Sequence, residues 1–357
     1  MKTKHKVFFV APCLSMGGIE RAAVNAANGL SEHGVEVVFL SLFKKPHFFS
    51  LNQEITLIEP KNFNVKTLNF VKSVIWLRKE IRKSKPSRVL VFNKFYGALT
   101  AMALLGVKIP FYISERSSPF FVWKFPFNWI NKLAYTLRRP EGVIAQTEIA
   151  ATFQRKYYRK SKVVVIPNSV REVKLYPDIT REKVILAVGR LNDHLKGFDL
   201  LLEAIALMRN QDWELHFAGG EENQGENLKN LAIRLGISNR VKFLGKVKDL
   251  DKCYAYAGLF AIPSRSEGFP NALAEAMAAG CCCVAFDFVA GPRELIQHGQ
   301  NGMIVKNGDV NALAKVMDEL IQDEPLRTRL GNNALLVRNS LSFSAINEKI
   351  KSFIING

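Results

Sequence analysis

The stretch 264–287, SRSEGFPNALAEAMAAGCCCVAFD, predicts a loop, a short helix and a buried strand in succession. It contains two carboxylates eight positions apart: Glu267 lies in the glycine- and proline-bearing loop, and Glu275 lies one turn into the helix. Pro270 suits a first helical turn, because the N–H groups there have no intrahelical partner. Loops that lead from a strand into a helix are where doubly wound α/β proteins bind their ligands. The stretch therefore predicts part of an α/β sheet, and it raises the question of why one carboxylate stands before the helix and a second one within it.

Strands and helices alternate in the same way along the rest of the chain. Apolar runs predict buried parallel strands at 6–12, 35–42, 88–93, 109–115, 141–146, 162–169, 183–191, 213–220, 241–247, 259–264 and 281–287. Helical stretches lie between them, such as 18–34, which ends at Gly34. The stretch 168–182 lacks clear periodicity and is expected to be a linker. The pattern predicts two doubly wound domains in tandem with a cleft between them.

Composition predicts a globular protein of the cytoplasm. Apolar residues make up 48% of the chain and charged residues 23%. No apolar run reaches the eighteen or so residues of a membrane span, and the run of about six near the N-terminus is too short for a signal peptide. Cys281, Cys282 and Cys283 are adjacent, so in a strand they point to alternate faces and cannot form a tetrahedral ligand set. All five cysteines are expected to be buried free thiols.

The excess of positive over negative charge lies entirely in the first half of the chain. Residues 1–170 contain 27 Lys and Arg against 9 Asp and Glu, whereas residues 171–357 contain 23 of each kind. This asymmetry predicts contact with an anionic surface, either nucleic acid or lipid head groups. Nucleic acid is disfavoured, because the chain has no RNP, zinc-finger or helix-turn-helix signature.

Two stretches, 64–88 and 119–139, combine cations with apolar or aromatic side chains. One interpretation is a pair of core-facing helices with solvated rims. The alternative is that one or both lie on the cytoplasmic leaflet with the apolar side down. The residues expected on this membrane and acceptor side are Lys79, Arg82, Lys83, Trp123, Lys124, Trp129, Arg138 and Arg139.

Two further loops suit a ligand that carries phosphate groups. Gly17 and Gly18 lie between the first strand and its helix, where backbone N–H groups meet a ligand at the positive end of the helix dipole. A simple tight turn is an equally weighted alternative. Arg190 and Lys196 flank a second such loop, which ends at Gly197, and cations beside a helix N-terminus suit a diphosphate. Ordinary solvated loop cations are the alternative there.

Several motifs follow one another in a familiar order: GGIERAA (17–23), VIPNSV (165–170), RLNDHLKG (190–197), VKFLGKV (241–247), PSRSEGFPNALAEAMAAG (263–280) and GPRELIQHGQNGMIV (291–305). Together they resemble the retaining nucleotide-sugar glycosyltransferases of family 4, which have the GT-B fold. The resemblance spans nearly the whole chain. It implies an acceptor-binding domain over 1–170, a nucleotide-sugar-binding domain over 171–340, and a C-terminal helix over 341–357 that packs back toward the first domain. The charge asymmetry adds that the first domain, 1–170, is basic and is expected to face a membrane.

The resemblance also implies roles for the two carboxylates and the two cations. Glu267 is expected to accept hydrogen bonds from hydroxyls of the donor sugar, and Glu275 from the ribose hydroxyls of the nucleotide. Arg190 and Lys196 are expected to neutralise the leaving diphosphate, so that neither a metal nor another cofactor is required. The donor-binding residues implied are Gly17, Gly18, Arg190, Lys196, Lys246, Val247, Glu267, Gly268, Phe269, Pro270, Asn271, Ala272, Leu273 and Glu275.

One position departs from the family pattern. Many relatives carry a histidine after the strand equivalent to 111–114, whereas this chain has Glu115 and Arg116 there. Arg116 is predicted to bind diphosphate or an acceptor phosphate, and Glu115 to orient an acceptor hydroxyl. The alternative is a structural ion pair at the end of a strand.

The function implied is retaining transfer of a hexose or N-acetylhexosamine from a UDP-sugar to a hydroxyl of a glycan acceptor in the biosynthesis of cell-surface polysaccharide or glycan. The acceptor is expected to be lipid-linked. The enzyme is expected to work as a peripheral protein on the inner face of the cytoplasmic membrane. A UDP-sugar 2-epimerase of the same architecture is the main alternative, although it is not expected to carry the 190–197 loop beside Glu267 and Glu275.

Overall fold

The structure is a computed structural model that describes residues 5–61, 70–117, 126–221, 224–289 and 291–356. The chain divides into two compact units: unit 1 comprises Met1–Ser169 and Phe343–Gly357, and unit 2 comprises Val170–Ser342. Each unit is built on one parallel sheet with helices between its strands. The prediction of two doubly wound Rossmann-like domains is therefore confirmed.

Unit 1 contains a seven-stranded sheet in the order β3-β2-β1-β4-β5-β6-β7. Its strands in the described residues are β1 Lys6–Ala11, β2 Glu36–Ser41, β3 Thr56–Ile58, β4 Arg88–Phe92, β5 Phe111–Ser114, β6 Gly142–Ala145 and β7 Lys162–Val165. The helices that connect them are α1 Gly18–Glu32, α2 Phe70–Ser84, α3 Lys94–Ala103, α4 Phe127–Leu137 and α5 Glu148–Tyr157. Every residue from Val7 to Ala11 is fully buried, as expected for a central parallel strand covered on both faces.

Unit 2 contains a six-stranded parallel sheet in the order β10-β9-β8-β11-β12-β13. Its strands in the described residues are β8 Glu182–Val188, β9 Glu214–Ala218, β10 Val241–Phe243, β11 Ala257–Ile262, β12 Cys283–Phe286 and β13 Met303–Val305. Its helices there are α6 Phe198–Leu207, α7 Glu226–Arg234, α8 Leu250–Tyr256, α9 Asn271–Ala278, α10 Val310–Gln322, α11 Glu324–Ala334 and α12 Val337–Ser340.

The last helix, α13 (Phe343–Lys351), belongs to unit 1 and packs against α1. Gly29 of α1 makes this packing possible, because a Cβ at that position would lie 2.1 Å from the carboxamide of Asn347. A π-helical turn, Ser352–Asn356, follows α13 and places Phe353 edge-on against Tyr112 of β5. The C-terminus thus completes the layer that covers one part of the unit 1 sheet.

The end of α1 was predicted from the sequence, whereas two short edge strands were not. The predicted stop of the first helix is confirmed: Gly34 has a φ of 77°, and its N–H donates to the carbonyl of Ser31 over 2.9 Å. The sequence did not predict β3 and β13, which have three residues each and lie at the edges of the two sheets. Charged or polar residues interrupt the apolar runs there, Glu54 and Glu59 around β3 and Asn301 and Lys306 around β13.

Candidate active site

The strand order of unit 2 reverses between β8 and β11, which lie side by side. The loop after β8 leads to α6 and carries Arg190 and Lys196, and the loop after β11 leads to α9 and carries Glu267. Because both strands are parallel, the two loops leave the same edge of the sheet. The crevice beyond this edge is the ligand site of doubly wound folds.

Two of the predicted site residues are in direct contact at this edge. The Lys196 Nζ atom lies 2.7 Å from the Glu267 Oε1 atom, and these side chains are 20% and 14% exposed. Ser264 Oγ donates to the same oxygen over 2.9 Å. The carboxylate is therefore fixed by a cation and a hydroxyl, and it stands beside the loop that was predicted to bind the diphosphate.

Gly197 allows the two loops to approach this closely. It has a φ of 66°, and a Cβ at this position would lie 2.0 Å from the carbonyl oxygen of Pro263. The neighbouring N–H of Arg265 donates to the carbonyl of Leu195 over 2.8 Å. Only glycine meets both requirements, the left-handed backbone and the contact with Pro263.

Arg190 lies at the exposed rim of the same loop. Its side chain is 75% exposed, and Nη2 lies 2.7 Å from Asp193 Oδ2. The other oxygen of Asp193 accepts the N–H of Leu195 and begins the short 3₁₀ turn His194–Lys196. Arg190 is thus held near the loop by a solvent-screened contact, whereas Lys196 is held by a largely buried one.

Glu275 occupies a different environment from Glu267. Its side chain is 8% exposed, and Oε2 lies 3.2 Å from Nε of Arg171, a residue of the irregular segment that precedes β8. Tyr254 of α8 places its hydroxyl 3.5 Å from the same oxygen, and burial raises the pKa of that hydroxyl well above its usual value. Arg171 and Tyr254 were not predicted from the sequence, because nothing in the spacing of either residue connects it to α9.

The loop and first turn before Glu275 have the predicted form. Helix α9 begins at Asn271, directly after Pro270. The side chains of Phe269 and Leu273 are buried in the core, so only their backbone groups can face a ligand. Gly268 and Ala272 are partly exposed. The first N–H groups of α9 have no partners within the helix itself, as at any helix start.

Lys246 and Val247, the last predicted donor-binding pair, follow β10. Lys246 is exposed, and its ammonium group lies 3.0 Å from the Glu221 carboxylate. Val247 is partly buried. Glu221 itself follows the turn at Gly219 and Gly220, both of which have a positive φ.

In unit 1 the strand order reverses between β1 and β4. Gly17 and Gly18 follow β1, and α1 begins at Gly18. A Cβ at Gly17 would lie 2.1 Å from the Glu20 carboxylate, whereas a Cβ at Gly18 would meet no atom within 4 Å. Gly17 therefore gives room to a carboxylate of the chain itself.

Burial, together with Glu20 and Cys13, raises the pKa of Tyr96 to about 12, so a small polar cluster lies here that was not predicted from the sequence.

Glu115 and Arg116 are both buried at the carboxyl end of β5. Glu115 Oε1 accepts the N–H groups of Arg116 and Ser117, each over 3.1 Å, and burial raises the pKa of the Glu115 carboxyl. Arg116 donates through Nε to Ser114 Oγ over 2.7 Å and through Nη1 to Asn168 Oδ1. Burial lowers the pKa of Arg116 to about 10. Among the ion pairs of the described residues, none joins Glu115 to Arg116.

The residues predicted for the membrane side divide into three groups. Lys79, Arg82 and Lys83 of α2, Trp129 of α4, and Arg139 are exposed. Arg138 is partly buried and donates to the carbonyl of Ile109 over 3.0 Å, so its guanidinium is engaged within unit 1. Trp123 and Lys124 lie outside the described residues. No helix within the described ranges is both long enough and apolar enough to cross a membrane.

All five cysteines are buried and unpaired, which confirms that prediction. Burial raises the pKa of the Cys282 thiol to about 12 and also raises those of its two neighbours. Across the part of the chain that the structure describes, no group of three or more His, Cys, Asp or Glu side chains is placed to hold a metal ion. The absence of a metal requirement remains a prediction.

Two family models match the chain, one for each unit. The model described as Glycosyltransferase Family 4 matches residues 16–172, and the model described as Glycosyl transferases group 1 matches residues 176–336. Residues Gly17, Gly18, Glu115 and Arg116 fall within the first match. The residues of the β8 and β11 loops and Glu275 fall within the second.

Curated relatives and solved structures extend over almost the whole chain. An uncharacterized glycosyltransferase of Haemophilus influenzae is 27% identical over 97% of this chain and 99% of its own length. The GalNAc-alpha-(1->4)-GalNAc-alpha-(1->3)-diNAcBac-PP-undecaprenol alpha-1,4-N-acetyl-D-galactosaminyltransferase of Campylobacter jejuni is 27% identical over 96% of both chains. The crystal structure of Anabaena Alr3699/HepE in complex with UDP superimposes with a TM-score of 0.80 at 19% identity, and it covers 98% of this chain and 99% of that one.

Proposed function

Since the chain belongs to the glycosyltransferases of family 4 and group 1, we propose that it transfers a hexose or N-acetylhexosamine from a UDP-sugar to a hydroxyl group of a lipid-linked glycan, with retention of configuration. The observation that carries the proposal is the contact between Lys196 and Glu267 at the switch point of unit 2. A cation suited to a diphosphate and an acceptor suited to sugar hydroxyls meet there within one hydrogen-bond length.

The names of the relatives support the kinds of donor and acceptor. The Campylobacter enzyme is named for an acceptor linked to PP-undecaprenol, and the Anabaena protein was crystallised with UDP. We infer from these names that this chain works in the synthesis of bacterial surface glycans. A lipid-linked acceptor also suits the basic composition of residues 1–170.

Donor binding would use the groups that line the edge of the unit 2 sheet. Glu267 would accept hydrogen bonds from hydroxyls of the sugar, and Glu275 from the two ribose hydroxyls, because a carboxylate is only an acceptor and a vicinal diol offers two donors. The N–H groups in the first turn of α9 would face the diphosphate between them. Lys196 and Arg190 would supply the positive charge.

The reaction breaks the bond between the anomeric carbon and the β-phosphate oxygen and forms a bond between that carbon and the acceptor oxygen. The departing phosphate oxygen takes the proton of the acceptor hydroxyl on the same face of the sugar, so atoms and charge balance without another co-reactant. Negative charge grows on the diphosphate as the bond breaks. Lys196 and Arg190 stabilise that charge, each by a few kcal/mol at about the strength of an oxyanion-hole donor.

Helices of unit 1 present a surface that suits an anionic lipid bilayer. Helix α4 exposes Trp129, Leu133 and Leu137, and α5 exposes Ile149, Phe153 and Tyr157. Each set is spaced by four residues, so it forms one stripe along its helix. Exposed cations flank the stripes at Lys132, Arg139, Arg155 and Lys156. Apolar stripes with cationic borders are typical of helices that lie in a membrane interface.

Helix α2 contributes to this surface in part. Leu77 and Ile81 are buried in the core of unit 1, whereas Val71 and Ile75 are exposed on the next ridge of the helix. The exposed cations predicted for this side follow at the C-terminal end of α2. Residues 64–69 and 119–125 of the two predicted stretches lie outside the described residues.

A nucleotide-release screen tests the proposed activity. Purified protein is incubated with UDP- and GDP-sugars, with and without a polyprenyl-diphosphate-linked glycan, and both the nucleotide and the lipid product are quantified. The proposal expects release of UDP that depends on the acceptor and equals the amount of extended lipid. A 2-epimerase would instead alter the sugar without any acceptor. If the protein releases nucleotide from none of the sugar nucleotides tested, the proposal is contradicted.

A further inference from the structure

Arg171 divides its guanidinium group between two carboxylates of unit 2. Nε lies 3.2 Å from Glu275 Oε2 on α9, and Nη2 contacts Oδ1 of Asp251 on α8. The second oxygen of Asp251 accepts the N–H of Lys174 over 2.9 Å. One arginine from the irregular segment before β8 thus joins two helices at the base of the site.

Both carboxylates need this cation, because both are largely removed from water. The side chains of Asp251 and Glu275 are 12% and 8% exposed, whereas that of Arg171 is 33% exposed. Burial tends to lower the pKa of Arg171, but the hydrogen bond to Asp251 and the charges of both acids outweigh burial and raise it. A buried carboxylate that loses its cation is strongly destabilised.

We propose that Arg171 is a positioning residue for the nucleotide, which holds the Glu275 carboxylate in the orientation that accepts the ribose hydroxyls. This inference rests on the proposed function, in which Glu275 binds ribose. It assigns a role to a residue of the segment that was interpreted from the sequence only as a linker. Arg171 itself does not touch the reacting atoms in this role.

The geometry favours a role in which Arg171 positions Glu275 over one in which Arg171 occupies the ribose site and blocks it. If Arg171 merely occupied the ribose position, the nucleotide would have to displace it, and displacement would leave Asp251 and Glu275 together without a cation. Asp251 also fixes the guanidinium through a second contact and is itself fixed by Lys174. A cation that is anchored on the side away from Glu275 is suited to remain in place when the ligand binds.

Isothermal titration calorimetry with UDP and GDP tests the inference, and the nucleotide that binds the wild type more tightly is used for the variants. Arg171→Ala is expected to weaken binding about tenfold or more, as for loss of a charged hydrogen-bond partner. Arg171→Lys keeps a cation but loses the planar guanidinium that reaches both carboxylates, so its affinity is expected to fall between those of the wild type and Arg171→Ala. In a Glu275→Ala background, removal of Arg171 is expected to have no further effect, because the residue acts through Glu275.

Steady-state kinetics provide a second readout, because a ribose contact is present before and during the reaction. Arg171→Ala is therefore expected to raise KM for the donor and to change kcat little. Arg327→Ala is the matched control, since Arg327 is also a partly buried arginine of unit 2 and donates to the carbonyls of Leu320 and Ile321. A change in nucleotide affinity in the control equal to that in Arg171→Ala would assign the effect to general loosening of the unit.

The outcomes separate this inference from the proposed function. If Arg171→Ala binds nucleotide more tightly, or if its effect persists undiminished in the Glu275→Ala background, the positioning role is wrong while the donor site stands. If Arg171→Ala binds nucleotide as the wild type does, the role is also wrong. If Glu275→Ala leaves nucleotide affinity unchanged, or if the wild type binds neither nucleotide, the assignment of the donor site itself fails.

Discussion

Replacement of Glu267 by alanine tests whether Glu267 binds the donor sugar while Glu275 binds the nucleotide. The substitution removes the acceptor proposed for the donor-sugar hydroxyls, and it also releases Lys196 and Ser264 from their 2.7 Å and 2.9 Å contacts. Glu275 and its partner Arg171 are not part of this set of contacts. The expected result is a severe loss of turnover with nucleotide binding preserved.

The magnitude follows from the hydrogen bonds involved. A hydrogen bond to a charged group contributes about 1.5–3 kcal/mol, and about 1.36 kcal/mol corresponds to a factor of ten in rate. Loss of one such bond to the sugar in the transition state therefore lowers kcat/KM about 10- to 150-fold. The affinity for UDP is expected to stay within about threefold or to improve, because Lys196 becomes available to the diphosphate.

Loss of the ion pair also lowers the stability of unit 2. The pair is more buried than surface salt bridges, which contribute about 0–1 kcal/mol, and less buried than pairs whose disruption costs about 3–5 kcal/mol. We expect a cost of about 1–3 kcal/mol and a Tm lower by several degrees, measured by calorimetry. Activity must therefore be assayed well below the Tm of the variant.

Initial rates of nucleotide release give kcat and KM for Glu267→Ala, and calorimetry gives the dissociation constant of UDP. Ser264→Ala is the matched control, because it removes one donor to Glu267 and leaves the carboxylate in place. The control is expected to lose no more than a few-fold in activity. If Glu267→Ala weakened UDP binding tenfold or more while Glu275→Ala left it unchanged, the roles of the two glutamates would be reversed.

Three further predictions concern the cations, the basic surface and the glycine of the loop. Arg190→Ala and Lys196→Ala are expected to lower kcat as well as raise KM, because their charge matters most as the diphosphate departs; an unchanged kcat in both would make them simple donor anchors. The fraction of protein bound to anionic vesicles, measured by co-sedimentation, is expected to fall in 0.5 M salt, because the electrostatic screening length becomes shorter. The same loss of binding is expected when the α2 cations Lys79, Arg82 and Lys83 are neutralised. Neutralising Lys248, Lys252 and Lys315 of unit 2 is the control and is expected to leave binding unchanged. Failure of the wild type to bind such vesicles at low salt would refute membrane docking. Gly197→Ala is expected to destabilise the chain by at least about 2 kcal/mol, because it combines a left-handed backbone with a contact against Pro263; a Tm equal to that of the wild type would contradict this reasoning.

Much of the fold was predictable from the sequence, because buried parallel strands give long apolar runs. The strands from 6–12 to 281–287 were recognised in this way, and their order places the predicted loops at one edge of each sheet. The contact between Lys196 and Glu267 joins two loops that are 71 residues apart. The motifs predicted both residues, but only the adjacency of β8 and β11 brings them together.

The partners of Glu275 were not predictable, for a physical reason. Arg171 lies in a segment without periodicity, and Tyr254 lies on α8, a helix of seven residues that also carries Asp251, the other acid in contact with Arg171. An ion pair between irregular backbone and a short helix leaves no pattern of spacing in the sequence. The same holds for Glu20 and Tyr96 in unit 1, whose proximity arises from the neighbouring positions of β1 and β4.

X-ray diffraction from crystals grown with UDP tests the central claim most directly, because it locates the ribose and the diphosphate together. We predict that both ribose hydroxyls donate to Glu275, with Arg171 still in contact with that carboxylate. We also predict that the diphosphate lies between Lys196 and the first N–H groups of α9. UDP bound elsewhere on the chain, or bound with its ribose away from Glu275, would contradict the proposed donor site.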